Sequence, residues 1–242
     1  LSAFGCPILK MNYESAELAK ISINLFLTAS VSTTNMLAEI SEEIGAVWSD
    51  IAPALRLDKR IGPNAYLNPG LGISGGNLER DLRTMISLGK KNKTDISLVE
   101  ATIKNSNYRK DWLWRTLDKK ILNKIKNPKI SILGITYKEG TSSTKNSPAL
   151  KFLSHLNNFD VRIHDPMANK IEFPDLIWFN CIFDCLKGAD VVVISTPWEV
   201  YKNLSAAKIS ELMRGNIIID PFNVIDHSDC RKAKLNVYTL GK

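Results

Sequence analysis

The stretch NPGLGISGGNLERDL, residues 68–82, decides how the first half of this chain is read. Gly70, Gly72 and Gly75 spell G-x-G-x-x-G, the letters of a loop that cradles a dinucleotide's phosphates. Such a loop needs a strand before its glycines and a βαβ unit around them, because the pyrophosphate rests on the helix that follows. Here the preceding residues are RIGPNAYLNPG (60–70), with two prolines and no β-branched run. No acidic residue closes a second strand about 20 residues further on. The match in letters therefore fails in context. What remains is a close-approach loop feeding a helix that begins near Asn77. Its free backbone N–H groups suit an anion or oxyanion, and its glycines equally suit a turn that needs positive φ.

Outward from the loop, the two halves of the chain carry different periods. Residues 12–44 contain neither Pro nor Gly. SAELAKISINLFLTASVSTTNMLAEISEEIGA (15–46) predicts one helix, far longer than the mean of about 11–12 residues. Its first half is apolar on most faces, which places it in a core or against a partner chain. Further helices are expected over VWSDIAPALRL (47–57), NLERDLRTMISLGKK (77–91) and, as one or two, over 95–125. After that the pattern changes. KISILGITY (129–137) reads as a short buried strand, SPALKFLSHL (147–156) enters a helix through Ser-Pro, and strand-like and helix-like runs then alternate to NVYTLG (236–241). That alternation predicts a doubly wound parallel sheet. The expected organisation is a helical domain over 1–126 and an α/β domain over 127–242.

Composition narrows the function. The 242 residues are 44% hydrophobic with a net charge of +7, which fits a globular protein with anionic partners. The densest basic run, KKILNKIKNPK (119–129), is interleaved with Ile and Leu and reads as the polar face of a helix, not a nucleic-acid arm. Cysteines at 6, 181, 185 and 230 form no C-x-x-C pair, and only three histidines are present. Neither a metal site nor a disulfide framework is expected, and reduced thiols point to the cytoplasm. No apolar run reaches membrane-spanning length and the start is not signal-like. The chain opens LSAFGCP, without Met, and is read as a piece of something longer.

Several segments, in order, resemble the UDP-glucose/GDP-mannose dehydrogenase family. AELAKISINLFLT resembles its central-domain helix, with a Lys and an Asn four residues on, here Lys20 and Asn24. LDKRIGPNAYLNPG resembles the segment whose Arg, here Arg60, reaches a neighbouring subunit's active site. GISGGNLERDL falls on the catalytic loop G-[FY]-G-G-S-C-[FL]-P-K-D, so the catalytic loop is expected over 68–81. ILGITYKEGTSSTKNSPAL is similar to the entry of the nucleotide-sugar domain, keeping Lys138, Thr141 and Ser147-Pro148. VRIHDPMA and GADVVVISTPW fit the strands that follow.

The resemblance implies a fold, a reaction and roles. The first domain would be the central, dimerising one, pairing through the long helix 15–46; the second would be Rossmann-like and bind a nucleotide sugar such as UDP-glucose. NAD would be held mainly by an N-terminal domain preceding Leu1, with Lys145 as the contribution of this chain. Lys20, Asn24 and Asp81 would take a proton from the sugar C6 hydroxyl as hydride leaves. Arg60, Tyr66, Gly72, Gly75 and Lys138 would bind substrate. Lys and Asn at i and i+4 share one helix face, as that role requires. The bland readings are a snorkelling lysine and an acid that complements a helix dipole.

Departures matter as much. Asn77 stands at the family's catalytic Cys, whose thiolate traps the aldehyde for a second oxidation; a carboxamide has no comparable nucleophile. Lys145 replaces an Arg and loses its fork but keeps the charge. Phe222, in DPFNV, replaces an Arg that contacts substrate, and Ser142 and Ser143 replace the usual acids. The expected activity is thus oxidation of a nucleotide sugar at C6, with three forms open: a stop at the aldehyde, slow oxidation of its hydrate, or a sugar unlike UDP-glucose. The alternative is a non-catalytic, dimerising nucleotide-sugar binder. By itself this chain is expected to show no turnover.

Overall fold

The computed structural model describes residues 2–170 and 173–242; Leu1 and residues 171–172, which fall inside the two expected domains, lie outside the description. The first half is helical: α1 (Tyr13–Ile44), α2 (Trp48–Leu57), α3 (Asn77–Asn92), α4 (Ser97–Lys110) and α5 (Trp112–Leu117), which runs into a π-helical turn at Asp118–Leu122. Asn12 starts α1 by accepting the Ser15 N–H at 2.9 Å, and Gly45, at φ 75°, ends it in the left-handed conformation.

The second half is a six-stranded parallel sheet in the order β3-β2-β1-β4-β5-β6. Its strands are β1 (Ile130–Leu133), β2 (Val161–His164), β3 (Ile177–Trp178), β4 (Val191–Ile194), β5 (Ile217–Ile219) and β6 (Asn236–Tyr238). Ile130 lies opposite both Val161 and Val191, so β1 is central. Five short helices accompany the strands: α6 (Pro148–Leu153), α7 (Ile182–Leu186), α8 (Glu199–Lys202), α9 (Ala206–Leu212) and α10 (His227–Lys232). The strand order reverses between β1 and β4, and in such sheets ligands bind beyond the strand ends at that switch point.

Alternation along the strands feeds two cores. Ile130, Ile132, Val191, Val193, Ile217 and Ile219 face one apolar cluster; Leu133, Val192, Ile194 and Ile218 face the other. The first also contains Leu71, Trp112, Leu113, Leu117 and Ile121. The helical half is therefore joined to the sheet by shared core.

The α + α/β fold is as the sequence predicted, with three additions: β3, α8 and α10 are too short to show a period. Of the two placements open to the first half of α1, the core of this chain is not the one it takes: Ile23 is 63% and Phe26 78% exposed. The residues α1 does bury are Thr28, Thr34, Asn35, Ala38 and Ser41, small or polar and from its middle onward; α2, α3 and α4 pack on it.

Candidate active site

The glycine loop is fixed by side chains from three directions. From α1, Asn35 Oδ1 accepts the Gly70 N–H at 2.7 Å. From α4, Ser106 Oγ accepts the Ile73 N–H at 2.7 Å, and Arg109 Nε donates to the Gly70 carbonyl at 3.2 Å. From the sheet half, the Lys145 carbonyl accepts the Gly75 N–H at 3.1 Å, while Ser74 Oγ donates to the Tyr137 carbonyl at 3.3 Å. Gly72 and Gly75 have φ of 89° and 76°. A Cβ on Gly72 would stand 2.6 Å from the Ser106 carbonyl oxygen, and one on Gly75 would stand 2.8 Å from the Tyr137 ring. These glycines permit close packing against α4 and the sheet half. On the side where a Cβ would point, the space beside them is filled by protein.

The loop delivers α3, and α3 delivers Asp81. Its carboxylate is buried, at 3% exposure. Oδ2 accepts from Lys20 Nζ and from Asn24 Nδ2, each at 2.6 Å, and Oδ1 from the Arg80 guanidinium at 3.3–3.4 Å. The hydrogen bonds from Lys20 and Asn24 outweigh burial and hold the Asp81 carboxyl below the usual carboxylate range. The Lys20 side chain is 59% exposed. Its charge is thus shared between a buried carboxylate and open space.

That open space is a cleft of about 870 Å³. Lys20, Asn24, Tyr66, Gly72, Gly75, Asn77 and Arg80 line one wall. Tyr137, Lys138, Pro148, Ser195, Pro197 and Phe222 line the other, at the carboxyl ends of β1, β4 and β5. The cleft therefore joins the Asp81 cluster to the sheet's switch point. Lys145 stands at its edge, its ammonium 3.0 Å from where a Cβ on Gly76 would lie. Among the described residues Lys145 makes no ion pair, which suits an anionic group. Arg60 is elsewhere: its side chain is 89% exposed and forks onto Asp58 at 2.6–3.0 Å.

No cysteine is among the residues lining the cleft. Cys6 and Cys181 are exposed away from it, and burial pushes the thiols of Cys185 and Cys230 up to about 12 and about 11. Asn77, the first residue of α3, is exposed at the cleft. Among the described residues, no group of His, Cys, Asp and Glu could hold a metal ion.

Sequence reasoning missed three residues here. Arg80 adjoins Asp81 and could have been found from that position alone. Asn146 and Lys110 hold the loop from behind; a left-handed Asn before Ser-Pro is a weak signal, and a lysine in the last turn of a helix is none.

The geometry defines a two-part α/β protein with a polar cluster and a nucleotide-sized cleft at its seam. Models of one family match both parts: the UDP-glucose/GDP-mannose dehydrogenase family central domain over residues 14–108 and its UDP binding domain over 131–227. The chain belongs to that family. It is 30% identical to a UDP-glucose 6-dehydrogenase of Rickettsia prowazekii across 98% of this chain and 56% of that protein. It is 27% identical to the UDP-glucose 6-dehydrogenase TuaD of Bacillus subtilis, over 99% of this chain and 53% of that one. A UDP-glucose dehydrogenase structure from Pyrobaculum islandicum superposes with a TM-score of 0.81 at 25% identity, covering 95% of this chain and 52% of the other. A UDP-D-ManNAc dehydrogenase structure from Pyrococcus horikoshii gives 0.78 at 26%, over 96% and 53%. The chain thus spans about half the length of the relatives it matches.

Proposed function

We propose that the full-length protein oxidises the primary alcohol of a nucleotide sugar to the aldehyde, with NAD⁺ as hydride acceptor. The observation that carries this is the Lys20–Asn24–Asp81 cluster, facing across the cleft to the half that matches a UDP binding domain. In the reaction the carbinol C–H bond breaks with its electron pair, the O–H bond gives up a proton, and aldehyde, NADH and H⁺ result. NAD⁺ supplies hydride acceptance when bound. The residues of this chain suit only part of it: Lys145 offers charge at the cleft edge.

The remaining chemistry belongs to this chain. Asp81 stays ionised and pins Lys20 and Asn24. Lys20 then presents fixed positive charge where an alkoxide oxygen develops, which lowers the barrier to losing the hydroxyl proton. Asn24 commits one Nδ2 N–H to Asp81 and keeps its carbonyl as an acceptor that can orient the hydroxyl. Lys138 and Lys145 suit the diphosphate, and Tyr66, Tyr137 and Phe222 offer faces to sugar or base. A thiol-free cleft favours stopping after two electrons.

Counting NADH per sugar with full-length protein tests this. One NADH is expected; two at a fast rate would defeat it. Asp81→Asn, which unpins the Lys20 charge, is expected to lower kcat by roughly 10²–10³-fold. A second reading, a nucleotide-sugar binder without turnover, draws on the same absence of a thiol; UDP-sugar binding with no NADH formed would favour it. In either case the bared face of α1 suits a second copy of the chain. We propose a homodimer through it, for which a single monomeric peak in size-exclusion chromatography would be the adverse result.

A further inference from the structure

Behind the cleft lies a polar cluster with no part in the chemistry above. Asn146 sits in the left-handed region at φ 57°, which Asn tolerates better than most side chains. Its Nδ2 donates in a short hydrogen bond to Glu79 on α3, and its other N–H is shared between the Ile73 and Gly75 carbonyls at 3.4 and 3.5 Å. Its Oδ1 accepts from Lys110 on α4. Lys110 is buried, at 6% exposure, and Ser106 one turn before it already holds the Ile73 N–H. One carboxamide of the sheet half thus touches the glycine loop, α3 and α4 together. Its neighbour Lys145 holds the Gly75 N–H through the backbone and stands at the cleft edge through its side chain. Glu79 is two residues before Asp81 on the same helix.

We propose that Asn146 is a positioning residue, the joint through which the nucleotide-binding half sets where α3, and with it Asp81, stands against the substrate. The proposal rests on the functional reading above. The sheet half holds one end of a nucleotide sugar and Asp81 serves the other, so the distance between them must be fixed by protein, and Asn146 is a side chain of the sheet half that reaches the glycine loop, α3 and α4 at once. Lys110 supports Asn146 from below. Burial pulls the Lys110 ammonium pKa down and the Glu79 charge pulls it back up, while Lys151 and Arg83 push it down again.

The test uses the full-length protein and three variants. Asn146→Gly removes the side chain yet suits the left-handed backbone, so it isolates the hydrogen bonds. Asn146→Asp places a second carboxylate beside Glu79. Asn146→Asp with Glu79→Gln reverses the direction of the 79–146 bond at unchanged net charge. The expected result for both single variants is a kcat lower by about 10- to 100-fold with UDP affinity within about threefold, the mark of misplacement and not of lost binding. Amide hydrogen exchange over residues 72–79 should quicken about tenfold while β1 and β4 stay protected. The double variant should regain most of the lost kcat. Unchanged exchange in Asn146→Gly, an unchanged kcat, or no recovery in the double variant would overturn the joint. A wild-type protein that oxidises no nucleotide sugar overturns the functional reading and the catalytic part of this one; the exchange measurement still decides whether the joint exists.

Discussion

The two halves of the molecule are held together by different means. The sheet half is closed by apolar packing: β1 and β4 are wholly buried, and apolar clusters cover both faces, one of them completed by Leu71, Trp112, Leu113, Leu117 and Ile121 of the helical half. The helical half has only a small cluster of its own, Ala38, Trp48, Ala52 and Leu67. Its long helix buries threonines, an asparagine and a serine while it bares Ile23 and Phe26. Its order comes from polar anchors. Arg109, 1% exposed, reaches Glu39 at 3.1 Å and Glu42 at 3.5 Å and holds the Gly70 carbonyl. Glu42 also accepts from Trp112 Nε1 at 3.1 Å. A half organised this way gains direction at the expense of core, which suits the side of a cleft that must place a carboxylate.

The strongest way to break that contrast is Arg109→Ala. It leaves Glu39 and Glu42 facing each other with their common cation gone, and should cost about 3–5 kcal/mol in urea unfolding. The first amides to lose protection from exchange should be those of α4 and the glycine loop. Burial pulls the Arg109 pKa down, and Glu42 and Glu39 oppose it. An apolar Met of similar length, with both glutamates changed to Gln, should recover much of the loss.

The sheet half has its own buried charge, and it titrates. Burial raises the Asp220 carboxyl from 3.8 to about 6, against N–H donors from the turn after β5. The folded state therefore binds more protons than the unfolded one between about pH 4 and pH 6. Stability contributed by the neutral acid is present at low pH and is lost as pH rises through 6, by on the order of 3 kcal/mol. Asp220→Asn should flatten this slope in urea midpoints measured across that range. Asp190 runs the other way: Arg214 holds it low, so its contribution fades as pH falls below about 4. The smallest effect is expected at the open end of α1, where Asn12→Ala should remove the cap and lower the thermal midpoint by the equivalent of about 1 kcal/mol.

The same division explains what could be read beforehand. In the sheet half, β-branched runs such as Ile130–Leu133 and the Ser147-Pro148 helix start speak through local pattern, so a parallel, doubly wound sheet followed from alternation, while its strand order did not. In the helical half, Lys20 and Asn24 sit one turn apart and could be paired on paper. That Asp81 would close the pair depends on a 57–61 residue separation that no periodicity encodes. The glycines show the difference most plainly. Their letters suggest a phosphate loop, but their purpose is set by Ser106 and Tyr137, which approach from distant sequence. Lys110 and Asn146 were silent for the same reason.

Gly241 adds a consequence for the order of assembly. Its N–H donates to Glu42, 199 residues earlier, and its carbonyl accepts the Trp48 N–H at 2.9 Å. The segment after β6 thus fastens the junction of α1 and α2. A contact across so much chain pays its loop-closure entropy late. During synthesis, α1 and α2 leave the ribosome before the sheet half yet wait for residue 241 before their anchors are complete. The strands between can pair with near neighbours as they emerge. Of the two halves, the one made earlier is finished later.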